Sequence, residues 1–103
     1  MLKSDYIRIL KELKLELQEE GFIIQGIFGS VARNENKSSS DLDVLYELDS
    51  QFRNSYRGFK AIARIDSIQQ LLSEKLNIQI DLVQRSTLNQ IGEKYILSEL
   101  VNV

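Results

Sequence analysis

The stretch Phe22-Ile23-Ile24-Gln25-Gly26-Ile27-Phe28, followed at once by Gly29-Ser30-Val31-Ala32-Arg33, decides how this chain folds. Its first part is rich in β-branched and aromatic side chains, which suit a pleated strand. Gly29 breaks that run. Ser30 then stands where it can cap a short helix through Val31, Ala32 and Arg33. Ten residues separate Ser30 from Asp41-Leu42-Asp43, the start of a second apolar alternation that runs to Leu48. Leu42, Val44, Tyr46 and Leu48 share one face of that strand; Asp41, Asp43, Leu45 and Glu47 share the other.

On the N-terminal side, Tyr6, Ile9, Leu10, Leu13 and Leu17 recur at helical spacing. They predict a helix over roughly residues 5–20, with Ser4 as N-cap and Gly21 as its stop. On the C-terminal side, Asn34–Ser40 is a polar loop and Asp49–Gly58 is polar and irregular. Phe59, Ile62, Ile65, Ile68, Leu72 and Leu76 mark a long helix. Ile78–Val83 is a third strand, with Gln79, Asp81 and Val83 on one face. Ser86 opens a last helical region containing Leu88, Ile91, Tyr95, Ile96 and Leu100, in which Gly92 is expected to break or bend the helix. The order α-β-α-β-α-β-α predicts an α/β (α+β) fold. It is one small domain over residues 1–103, a mixed central sheet with flanking helices.

Composition removes several kinds of chemistry. The chain has neither Cys nor His, so thiolate metal sites, His-based triads and zinc-hydrolase centres are excluded. Catalysis must run on carboxylates, hydroxyls, Lys and Arg. The net charge of −2 argues against stable nucleic-acid binding. No apolar run approaches the length of a membrane span, and Asp5 interrupts the N-terminus before any signal-like segment. A cytoplasmic protein is expected, with no membrane partner.

Two carboxylates spaced two apart on a strand project from one face and repel each other. A hard divalent cation offsets that repulsion. Equally, such a pair can simply face water. Gly29 allows close approach of backbone to a phosphate, and a helix start directs N–H groups toward an anion; alone, this is also an ordinary strand-to-helix turn. Asp81 lies in an apolar stretch where an unpaired charge is costly, or else at a solvent-facing strand edge. If its strand neighbours the Asp41–Asp43 strand, all three acids converge and could hold two metal ions for in-line displacement at phosphorus. Asp81 would then accept the proton of the attacking hydroxyl. Arg33 reads evenly as a phosphate ligand or a solvated surface residue.

Gly29-Ser30, ten residues, then Asp41-x-Asp43 resembles the signature of minimal nucleotidyltransferases of the DNA polymerase β-like superfamily. Phe28-Gly29-Ser30-Val31-Ala32-Arg33, Asp81-Leu82-Val83 and Ile96-Leu97-Ser98-Glu99-Leu100-Val101 are similar to the family's usual forms. The resemblance implies the nucleotidyltransferase fold, Gly29 and Ser30 on the nucleotide phosphates, and Asp41, Asp43 and Asp81 as Mg²⁺ ligands. It implies ATP as substrate. It also implies a partner, since short members of the family often act as antitoxins beside a helical HEPN-type ribonuclease toxin, some by transferring AMP to a tyrosine of it. Asp49–Lys60 is longer and more basic than the family's usual form, a candidate partner surface. The expected function is therefore Mg²⁺-dependent transfer of AMP from ATP to a cognate HEPN toxin, in a hetero-oligomer. The alternative is an antitoxin that neutralises by contact alone. A small-molecule transferase would need a second domain for its acceptor, and a polymerase would need a template grip.

Overall fold

The computed structural model describes residues 1–103. The elements are α1 (Lys3–Gln18), β1 (Phe22–Phe28), α2 (Gly29–Ala32), β2 (Leu42–Leu48), α3 (Ser50–Ser55), α4 (Phe59–Leu76), β3 (Ile80–Gln84), α5 (Gln90–Glu99) and β4 (Val101–Asn102). They form one mixed sheet in the order β3-β2-β1-β4. The pairs β1–β2 and β1–β4 are antiparallel, and β2–β3 is parallel. This is the expected α+β architecture, with one more helix and one more strand than the sequence pattern shows.

The core lies between one sheet face and the helices α1 and α4. Tyr6, Leu10, Leu13 and Leu17 enter it from α1, and Ile68, Leu72 and Leu76 from α4. Leu42, Val44 and Tyr46 meet them from β2, and Ile80 from β3. A bulge at Gln25 shifts the β1–β2 register between Ile24 and Gly26. The extra residue turns Ile27 onto the same core face as Phe22 and Ile24, where simple alternation would send it to the other side. It also sets Gly26 opposite Leu45. A Cβ on Gly26 would lie 2.3 Å from the Val101 carbonyl and 3.0 Å from the Leu100 side chain, so the end of α5 and β4 cross closely here.

Several boundaries differ from the pattern-based expectation. The helix α1 starts at Lys3; Ser4 lies inside its first turn, and the Asp5 carboxylate accepts the Leu2 N–H at 2.9 Å. Gly21 does end this segment, at φ 88°. The supposedly irregular Asp49–Gly58 contains α3. The Asp49 carboxylate caps it, accepting from the Gln51 and Phe52 N–H groups at 2.9 and 3.2 Å. Phe52, the one apolar residue of that short helix, is buried against Phe22 and Tyr56. A single anchor produces no periodicity, which is why the helix is silent in the sequence. In the first turn of α4 Phe59 and Ile62 are exposed despite their place in its apolar stripe, whose buried residues are Ile68, Leu72 and Leu76. Ser86 falls in a 3₁₀ turn, Arg85–Thr87. Asn89 caps α5 instead, accepting the Gly92 N–H at 2.7 Å, so Gly92 belongs to the first turn and does not break the helix. Leu100 follows the helix, and Val101–Asn102 joins the sheet beside Gly26 and Ile27.

One ion pair ties α4 to the chain leaving α1. Arg64 donates Nε to Glu20 Oε1 at 2.6 Å and Nη2 to Glu20 Oε2 at 2.8 Å. The guanidinium holds Glu20 below its ordinary value of 4.5. A depressed carboxyl contributes stability above its unfolded pKa and loses it as pH falls through the folded one. Arg64→Ala is expected to cost about 1 kcal/mol at pH 7, the upper range for a partly exposed bidentate pair. That difference should be smaller at pH 3 than at pH 7 in urea titrations. An equal cost at both pH values would assign the effect to packing of the Arg64 stem instead.

Candidate active site

At the end of β1, Phe28 is extended and Gly29 turns the chain at φ 80° into α2. That conformation favours glycine. Space demands it as well: a Cβ on Gly29 would lie 2.0 Å from Asp43 Oδ2. The carboxylate of the second strand thus rests directly on the Gly29 backbone. Ser30 stands one residue inside α2 and is not its cap, a position held by Phe28. Its hydroxyl is not committed to closing the helix start.

The parallel pairing of β2 and β3 sets Asp43 directly beside Asp81, while β1 sets Phe28 on its other side. Asp41 lies two residues before Asp43, just outside β2. The three acids therefore stand at one end of two adjacent strands, on the face turned away from the α1–α4 core. Asp41 and Asp81 are exposed, and Asp43 is half-buried. Burial is the largest cause that pushes the Asp43 carboxyl up, to about 6; the Asp81 charge and a hydrogen bond with Asp81 add to it, then the Asp41 charge, with Arg33 opposing. Three clefts of about 420, 500 and 400 Å³ mark the surface, and their linings include none of these acids. The site is an open ledge.

No three acidic side chains are gathered around a single point. The donor set still fits a hard divalent cation. It is all oxygen, and its central carboxyl is crowded by two like charges, so a cation would relieve what burial and repulsion impose.

Arg33 is neither free nor simply solvated. It donates Nε to Glu35 Oε2 at 3.0 Å and Nη1 to Glu99 Oε2 at 3.0 Å. These partners, Glu35 first, raise its pKa. Glu99 also accepts the Gly29 N–H through Oε1 at 3.1 Å, across 70 residues of sequence. Glu99 lies in the C-terminal stretch Ile96–Val101 that resembles the family's usual form, but the sequence pattern assigns it no place in the site. One signal was present: it is an acid in the last turn of a helix, where the macrodipole disfavours negative charge.

The chain as a whole is similar to known proteins. The nucleotidyltransferase domain family matches residues 6–102. The protein adenylyltransferase MntA of Thermococcus cleftensis is 30% identical over 96 residues, covering 92% of this chain and 89% of that protein. A Methanocaldococcus jannaschii protein, provisionally named a protein adenylyltransferase, is 29% identical over 102 residues, covering 97% of this chain and 96% of its own. A solved structure, provisionally named a minimal nucleotidyltransferase, superposes with a TM-score of 0.73 at 27% identity, covering all of this chain and 97% of the other. With the family's fold and nearly its full length matched, this chain belongs to the nucleotidyltransferase domain family and is a nucleotidyltransferase.

Proposed function

We propose that this chain transfers AMP from ATP to a protein hydroxyl, and that the acceptor is a tyrosine of a cognate HEPN-type ribonuclease toxin in the cytoplasm. The observation that carries the reading is the register of β2 against β3, which sets Asp43 beside Asp81 next to the Gly29 turn. The name of the Thermococcus relative supports a protein acceptor.

Asp41, Asp43 and Asp81 would hold Mg²⁺. Bound there, Mg²⁺ supplies charge neutralisation on the triphosphate and a lowered pKa for the attacking hydroxyl. Gly29 and Ser30 bind phosphate oxygens, Gly29 by letting the backbone approach and Ser30 by donating its hydroxyl. Asp81 is exposed beside Asp43, so it can meet an acceptor arriving from solvent and take the hydroxyl proton. The acceptor oxygen forms a bond to the α-phosphorus, the bond from that phosphorus to the bridging oxygen breaks, and diphosphate leaves. What the chain contributes is alignment of the two reactants.

Incubation with ATP, Mg²⁺ and the toxin encoded beside it is expected to yield toxin heavier by adenylate groups in intact-protein mass spectrometry. Asp81→Ala should abolish the product. Toxin that stays unmodified, yet is silenced equally by wild type and Asp81→Ala, would establish neutralisation by contact alone. Modification that persists in Asp81→Ala would remove Asp81 from its role.

A further inference from the structure

We propose that Glu99 is a positioning residue for nucleotide binding, holding the Gly29 turn and Arg33 in the one arrangement that receives a triphosphate. The inference rests on the nucleotidyltransferase reading of the Gly29–Ser30 turn and gives a role to an acid for which the sequence pattern names none.

Glu99 is the last residue of α5. Two residues later Val101 pairs with Ile27 of β1, so the short strand β4 fixes Glu99 relative to the turn at the end of β1. Its carboxylate spans two partners, the Gly29 N–H at 3.1 Å and Arg33 Nη1 at 3.0 Å. The side chain is only 17% exposed, against 65% for Glu35, the other partner of Arg33. Nothing in α5 itself favours this placement, since a helix C-terminus repels an acid. The two charge-assisted hydrogen bonds are what offset it.

The consequence is geometric. Gly29 is gripped from two sides, by Glu99 at its N–H and by Asp43 Oδ2 against its Cα. The distance between the turn and the acidic strands is thereby fixed. Arg33 is gripped through Nε and Nη1, which leaves Nη2 to donate to a phosphate oxygen. Loss of Glu99 removes one hold on each element at once. It removes no group that touches the nucleotide, so its effect should fall on nucleotide affinity.

Calorimetry with Mg²⁺ and a non-hydrolysable ATP analogue tests this, alongside hydrogen exchange at the Gly29 amide of the free chain. Glu99→Ala is expected to weaken analogue binding by about 10–100-fold, the scale seen when a supporting hydrogen bond to a site is removed, and to speed exchange at Gly29. Glu99→Gln keeps an acceptor for Gly29 but loses the ion pair with Arg33, so its affinity should fall between the two. It also decides the matter if Glu99→Ala does not fold. Affinity within twofold of wild type in both variants would overturn the proposal even if melting temperature dropped. Tighter binding would overturn it too, by making Glu99 a competitor of the phosphates. Should the wild-type chain bind no analogue, the nucleotide reading of the turn falls first and this inference with it.

Discussion

Asp43→Asn is expected to lower nucleotidyl transfer by about 10³-fold, the scale of losing one element of preorganised charge stabilisation, while making the metal-free chain more stable. The two effects share one cause. Asp43 keeps its proton to about pH 6 in the fold, against 3.8 for an ordinary aspartate, because burial and Asp81 disfavour its charge. Between those values the folded chain holds a proton that the unfolded chain has released. Stability therefore falls as pH rises through this window, and the whole loss is present above about pH 6. A shift of this size corresponds to about 3 kcal/mol in full. Solvent around the half-exposed carboxyl screens it to about 1 kcal/mol. In EDTA at pH 8 the Asn variant should melt higher than wild type by about 5 °C, and at pH 4 the two should coincide. Unchanged transfer would remove Asp43 from the site. Equal melting temperatures at both pH values would show that the carboxyl is not under electrostatic load.

Gly29→Ala is expected to damage fold and site together. The left-handed conformation at φ 80° costs a side-chain-bearing residue about 1–2 kcal/mol. The new Cβ would also fall 2.0 Å from Asp43 Oδ2, so the carboxylate or the turn must move. A displacement of this order misaligns the reacting groups and should lower transfer by about 10²-fold. Melting should fall by about 10 °C for a loss near 2 kcal/mol. Ser30→Ala provides the contrast. Ser30 does not cap α2, so its loss should leave melting unchanged and weaken ATP binding by about 1–3 kcal/mol, as for a hydrogen bond to a charged group. If Gly29→Ala melts like wild type and binds the nucleotide equally, the close approach of Asp43 to the turn is not a constraint on the site.

The chain's own neighbour-to-neighbour pattern determined a good deal. The apolar run Phe22–Phe28 gave a strand of those bounds, Gly29 gave the turn, and the α1 and α4 stripes gave the core helices. Alternation put Asp41 and Asp43 on one face, away from Leu42 and Val44. These follow from rotamer, backbone and burial preferences of residues two to four apart, which the sequence displays directly. Other features depend on segments far apart in the chain, and periodicity is blind to those. Asp81 reaches Asp43 only because β3 pairs in parallel with β2 at that register; a shift of one residue would turn Asp81 to the opposite face. The Gln25 bulge returns Ile27 to the core against its local alternation. Helix α3 rests on one cap and one buried ring, and β4 on two residues beside β1. Glu99 meets Gly29 and Arg33 because β4 docks where it does. The sequence by itself thus pointed to the carboxylates and the turn that are proposed to hold the chemistry. Tertiary pairing decided which of them touch, because hydrogen-bonded register and the closing of long loops belong to the folded chain as a whole.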